Sequence, residues 1–272
     1  MRVHGVWKGT VGVREGRSAL LHSFHQSPLK VAKPFAGERG ELLLYLMDSS
    51  PGLFNGDTQE IECTLEKGAS LYLTNQSSCK LHPSLEMGET SQIQRFNVRK
   101  GALLEYFPEA LVPYHGANYF GETVLEMQGG AQAIVGEIIT PGRAGRGELF
   151  QYEKIASQFS VSWEGQLAVW DSLLLEPARW NTSRGIFDGY THIGTLWVLS
   201  EQITHDHVKM LETFLDSHQK EELYAGTSLL ARNGLVMRML GPSVWRLQSL
   251  MHECWDLIRR ELLGKPAPQI RK

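Results

Sequence analysis

The sequence predicts a mainly β protein: many short strands in stacked β units, a sandwich-like or β-helical body, and two helices in the C-terminal third. Three observations carry this. Apolar and polar residues alternate along the first two thirds, the period of a strand. A Gly-Ala bend recurs: Gly68-Ala69 to Gly101-Ala102 spans 33 residues, and Gly101 to Gly130-Ala131 spans 29. Repeats at such periods suggest stacked copies of one supersecondary unit, and ordinary β-meander turns remain the alternative. After residue 200, two stretches change to helical spacing.

Val6 to Val13 reads as a first strand, turning at Glu15-Gly16-Arg17 into Leu20 to Phe24. Pro28 biases Ser27 to an extended conformation. A loop over 33–40 leads into Glu41 to Asp48, a strongly apolar strand. Pro51-Gly52 and Asn55-Gly56 form turns because Gly, and Asn less readily, tolerate positive φ. From Ile61 to Thr74, Ile61, Cys63, Leu65, Ala69, Leu71 and Leu73 alternate with polar residues, predicting one buried face bent at Lys67-Gly68. Stretches 149–163, 167–176 and 190–199 read as strands, with a loop over 180–188. The first helix is expected from Glu201 to His218, with Ile203, His207, Met210, Leu211, Phe214 and Leu215 on one face. Asn233-Gly234 joins Tyr224 to Arg232 and Leu235 to Leu240 in a hairpin. The second helix runs from Ser243, its N-cap, to Leu263, and Gly264 and Pro266 end it. Trp245 and Trp255 lie off its main stripe, as interface aromatics or as part of a wide core face. One domain over 1–272 is the simplest organisation: a β body over 1–200, a helix-hairpin-helix region over 201–264 and a basic tail over 265–272.

With 42% hydrophobic and 21% charged residues among 272, the chain is globular rather than disordered. A net charge of −3 gives no bulk attraction to nucleic acid. The N-terminus lacks the apolar core of a signal peptide, and the run Leu42 to Met47 falls far short of the ~20 residues of a membrane helix. Three cysteines, Cys63, Cys79 and Cys254, without Cys-x-x-Cys spacing predict a reduced, cytoplasmic protein.

Several segments together carry a resemblance. These are Ser27-Pro28-Leu29, the Gly52 and Gly56-Asp57 turn, Gly68-Ala69, and Leu73-Thr74-Asn75-Gln76 ending in Lys80. Downstream come Leu104-Glu105-Tyr106-Phe107-Pro108, Gly142-Arg143 with Gly147-Glu148-Leu149-Phe150, and Phe187-Asp188-Gly189-Tyr190-Thr191-His192. In order and spacing the chain resembles the UreD (UreH) family of urease accessory proteins. Asn55 departs from the glycine common there, and it also accepts positive φ. The resemblance implies a non-enzymatic maturation factor acting as chaperone and scaffold. With UreF and the GTPase UreG it would deliver nickel to the urease apoprotein through an internal polar passage. Nickel(II) would be transient cargo, with no tightly bound cofactor, no nucleic acid and no membrane.

Candidate passage residues are Asp48, Asp57, Lys80 and Glu105. Asp57 either lines the passage with Lys80 or closes an Asx-turn. Glu105, a carboxylate in an apolar strand, is costly unless paired or hydrated, or else it points outward. Gly142, Arg143, Gly147 and Glu148 form a loop that braces itself or meets a partner; no phosphate-binding Gly-x-x-x-x-Gly-Lys-Ser/Thr occurs. None of the ten histidines makes a metal-ligand pair in sequence, since His205 and His207 point apart on a helix. His207 lies on the apolar stripe as a core or interface residue. The alternative function is a β-solenoid or cupin-like enzyme, with Asp57, Glu105 or Glu148 as acid and base on a small polar substrate.

Overall fold

The computed structural model describes residues 2–84, 88–180, 187–218 and 223–270. Strands β1 (His4–Arg14) and β2 (Arg17–Gln26) form an antiparallel hairpin. Short strands β3 (Leu29–Val31) and β4 (Phe35–Ala36) then pair with β5 (Leu42–Asp48). The coils follow. One contains β6 (Thr58–Leu65), β7 (Ser70–Asn75) and β8 (Cys79–Leu81). The next contains β9 (Thr90–Val98), β10 (Leu103–Phe107) and β11 (Leu111–Pro113), and the last β12 (Asn118–Met127) and β13 (Gln132–Ile139). The hairpin β14 (Lys154–Trp163) and β15 (Gln166–Leu175) closes one sheet. The rest is β16 (His192–Leu199), α1 (His205–His218), β17 (Tyr224–Leu229), β18 (Gly234–Gly241) and α2 (Val244–Leu263).

Two facing sheets result, ordered β15-β14-β12-β9-β6-β1-β2 and β17-β18-β16-β13-β10-β7-β5-β3. From β5 to β14 the chain alternates between them, so equivalent strands stack in parallel. Partners in neighbouring coils are 33 residues apart at Gln59 and Gln92, and 29 apart at Gln94 and Thr123. The repeat is therefore a β-helical stack rather than a meander. Gly68, Gly101 and Gly130 turn the chain from one sheet to the other at φ of 73°, 67° and 72°, a region L side chains avoid.

Each strand's inward residues fill the space between the sheets. One apolar cluster holds Leu44, Ile61, Leu73, Phe96, Leu104 and Phe159. A second, toward the β8–β11 side, holds Leu53, Leu81, Leu111, Tyr119, Ile139 and Ile155. A third lies outside the β16 sheet, where Leu211, Leu215, Leu247, Met251, Trp255 and Ile258 cover it. Strand β7 accordingly has two buried faces, not one: Tyr72 and Thr74 are fully buried although they alternate with Leu71 and Leu73. Helix α2 causes this, because Trp255 stacks on Tyr72 with ring centroids 5.4 Å apart. Gly136 makes room for that helix; a Cβ there would lie 2.5 Å from Met251 Sδ.

The first helix begins four residues later than the apolar pattern indicates. Thr204 and His207 cap it, the backbone N–H of Thr204 donating to His207 Nδ1 at 3.1 Å. His207 is thus a half-exposed capping residue, not a core one. Strand β14 begins at Lys154, not 149, because residues 142–153 form a turn with Phe150 at positive φ. In α2, Ser243 caps the start and Gly264, in the left-handed region, ends it. Trp255 belongs to the core and Trp245 is 61% exposed. The tail folds back, Ala267 N donating to Asp256 Oδ1 at 2.7 Å and Pro266 O accepting from Arg259 Nη1 at 2.9 Å. Residues 271–272, and 181–186 of the expected loop, lie outside the described residues.

Candidate functional site

Between the two inward apolar clusters lies a polar band. From the β6 sheet come Gln59, Gln92, Gln94, Thr123, Ser157 and Asp171; from the facing sheet come Asp48, Asn75, Glu137, Thr195 and Arg238. On the β6 sheet they occupy two adjacent inward rows, Gln59, Gln92 and Ser157 on one and Gln94, Thr123 and Asp171 on the next; on the facing sheet Pro108 stands between Asn75 and Glu137. Gln59 pairs with Gln92, and Glu137, Thr195 and Arg238 are direct neighbours across β13, β16 and β18. On β18 the inward row reads Val236, Arg238, Leu240: Val236 packs on one apolar cluster, Leu240 on the other, and Arg238 lies between. A polar seam therefore crosses the interior from β5 to β18.

A buried polar group left unbonded costs about 1–3 kcal/mol, so such a layer survives only if its members bond one another. They do. Asp48 Oδ2 accepts from Gln59 Nε2 at 2.6 Å, and Gln59 Oε1 from Gln92 Nε2 at 2.7 Å. Gln92 Oε1 accepts from Gln94 Nε2 at 2.6 Å, and Gln94 Oε1 from Thr123 Oγ1 at 3.1 Å. At the far end Ser157 Oγ donates to Glu137 at 2.8 Å and Trp197 Nε1 to Asp171 at 3.0 Å. Arg238 ion-pairs with Asp171 and donates to Thr195 Oγ1 at 2.9 Å.

The seam is hollow. A cavity of 30 Å³ is lined by Asp48, Gln59, Lys80 and Ser78, and another of 50 Å³ by Gln94, Glu109, Glu137 and Ser157. Both are lined by Asn75, Cys79 and Gln92, so these three form a waist. A water needs about 10–15 Å³, so each cavity admits water. Asn75 Oδ1 is buried there with no hydrogen-bond donor among the described residues. Burial raises the Glu137 carboxyl above the usual range; Ser157 and Arg238 oppose this and Asp171 adds to it. Burial, with Asp48, pushes the Cys79 thiol up to about 12, so it stays protonated and neutral at pH 7.

The sequence candidates are not all in one place. Asp48 and Lys80 line the seam's narrow end. Asp57 lies outside both cavities, 4% exposed, and ties its own turn to the N-terminal strand, Oδ2 accepting from Phe54 N at 2.9 Å and Oδ1 from Val3 N at 2.7 Å; these bonds run backward along the chain, so it is not an Asx-turn. Glu105 is on the opposite face of its sheet, under α2. It is fully buried, takes a 2.6 Å hydrogen bond from Trp255 Nε1, and lies 2.9 Å from Arg259 Nε, an ion pair whose angle falls short of a hydrogen bond. Burial raises its carboxyl to about 7 despite Arg259 and Trp255. In the 142–148 loop Arg143 pairs with Glu148 and sits 4.1 Å over the Tyr114 ring, while Gly142 (φ 129°) and Gly147 (φ 76°) supply the turns. Asp57, Glu105 and Glu148, the acid–base candidates, occupy three separate environments. Among the described residues no three His, Cys, Asp or Glu side chains group as a metal site, and the three cysteines are free. No described helix is long and apolar enough to cross a membrane.

The glutamines and the far-end charges escaped the sequence reading. Their signal was there: Gln59 and Gln92 hold the same inward position one coil apart, where the pattern calls for apolar residues.

The family model described as UreD urease accessory protein matches residues 5–272. A urease accessory protein UreD of Bacillus sp. (strain TB-90) is 29% identical over 272 residues, covering 100% of both chains. That of Acetivibrio thermocellus is 32% identical over 241 residues, 88% of this chain and 91% of the relative. That of Lysinibacillus sphaericus is 31% identical over 229 residues, 84% and 85% of the two chains. With a family match over nearly its whole length on a β-helical body crossed by a polar seam, this chain belongs to the UreD family of urease accessory proteins.

Proposed function

We propose that this protein acts in urease maturation, and that its polar seam is the passage along which nickel(II) moves toward the urease active site. The carrying observation is the row of side-chain oxygens from Asp48 through Gln59, Gln92 and Gln94, with Glu137 beyond, along two cavities that admit water and share a waist. Nickel accepts carboxylate, carbonyl and water ligands. A cargo that must leave needs a succession of weak sites, not a closed chelate. Amides and isolated carboxylates supply such sites, and rigid strands hold them without collapse. The chain acts as scaffold and chaperone rather than enzyme: UreF and UreG dock on its surface, UreG hydrolyses the nucleotide, and the urease apoprotein receives the ion. It works in the cytoplasm, where those partners are made.

The test is Gln92→Leu at the waist, in cells expressing urease with UreF and UreG, reading nickel per urease by metal analysis. Leucine removes an oxygen both cavities share, and nickel content falls several-fold while UreF co-purification persists. Full metallation would refute the passage.

A further inference from the structure

At the β15–β18 end of the seam, beyond the larger cavity, one side chain bridges the two sheets. Strands β15 and β18 face each other there without backbone pairing. Polar contacts lace that edge, Arg232 Nη1 to Gln166 Oε1 at 2.8 Å and Trp163 Nε1 to Glu201 Oε1 at 3.0 Å. Only Arg238 among these residues belongs to the seam's level. Its guanidinium spans from β18 to Asp171 on β15 and is tied to Thr195. Trp197 lies beneath, its ring centre 5.8 Å from the guanidinium carbon, and stacks on Phe159 at 4.1 Å. The Arg238 side chain is 44% exposed, against 18% for Asp171.

On the passage reading above, we infer that Arg238 is a displaceable plug at this end. The argument is competition. A divalent cation leaving Glu137 next meets Asp171, whose Oδ2 already bonds Arg238 and Trp197. A second cation at that carboxylate meets like-charge repulsion from the guanidinium, and Arg238 swinging away removes it and frees Oδ2 for the ion. Arg238 can do so because its outer part already meets solvent, whereas Asp171 is held by Trp197. A brace alone has no need of a carboxylate beside the seam; the contact from Arg232, in the β17–β18 turn, to Gln166 of β15 ties the same end with neutral chemistry on one side.

The experiment uses the full chain, purified with UreF where needed for solubility, and nickel chloride as the probe. Stopped-flow quenching of Trp197 fluorescence is read against a Trp197→Phe control, since the chain has seven tryptophans. Arg238→Gln raises the rate of Ni²⁺ quenching by at least about tenfold, the smallest amount by which an adjacent opposite charge changes a carboxylate's affinity for a proton. Arg238→Lys, which retains a cation, stays near the wild-type rate. A pure brace predicts a lower melting temperature with an unchanged rate, and that result overturns the plug. An unchanged rate for Arg238→Gln with slower quenching in Glu137→Gln overturns the plug alone; no change in Arg238→Gln, Glu137→Gln or Gln92→Leu overturns the passage with it. Should Arg238→Gln fail to fold, the wild type decides by salt. Ni²⁺ entry past a half-exposed ion pair speeds up as sodium chloride rises, whereas simple steering toward carboxylates slows, and slowing overturns the plug.

Discussion

Glu105 gives the sharpest test of the packing under α2. Its carboxyl is raised from the usual 4.5 to about 7, with burial outweighing Arg259 and Trp255. The folded state therefore holds this proton more tightly than the unfolded chain. Stability from this group is fully present below about 4.5 and is lost as pH rises through about 7. That displacement corresponds to about 3 kcal/mol. Glu105→Gln keeps an oxygen for Trp255 Nε1 and cannot ionise. Urea unfolding at steps from pH 5 to pH 8, followed by tryptophan fluorescence, should show the wild type losing roughly 2–3 kcal/mol more than the variant across that window. The two are closest in their pH response at the acid end and diverge toward neutrality. Parallel stability curves would show that Glu105 stays ionised in the fold, compensated fully by Arg259, and would refute the reasoning.

Asp57→Ala removes the acceptor for Val3 N and Phe54 N and should cost about 2–4 kcal/mol, read as a lower urea midpoint with early exchange of those amides. Gly136→Ala puts a methyl group against Met251 Sδ and the Phe107 ring, and should cost about 1–3 kcal/mol while exposing Trp255 to quenchers. Gly52→Ala places a Cβ 2.5 Å from the Lys80 carbonyl oxygen at φ 140°, so it should widen the seam's narrow end and lower the melting temperature. Trp245→Ser, on an exposed ring, should change stability by no more than about 0.5 kcal/mol.

The Gly-Ala bends exposed the stacked coils in the sequence because only positive φ satisfies that turn, whatever packs around it. The ends of α2 were legible for the same local reason, through Ser243 and Gly264. What was not local was not legible. Tyr72 and Thr74 read as a solvent face because α2, which buries Tyr72, lies more than 170 residues along the chain. Glu105 was picked out by its apolar neighbours, yet which face of its sheet looks inward depends on the same helix. Arg238 and Asp171 meet 67 residues apart, across two sheets, where no sequence spacing announces the contact.

The glutamine run has a handedness. Each side-chain amide gives its N–H toward Asp48 and turns its oxygen toward Thr123, so the dipoles align head to tail. Reversing one amide would oppose donor to donor on one side and acceptor to acceptor on the other, so the row reorients as a whole. The negative charge of Asp48 fixes the direction. Neutralising it, by a proton or a bound cation, removes the bias along the row, and a charge arriving at one end is thereby felt three side chains away.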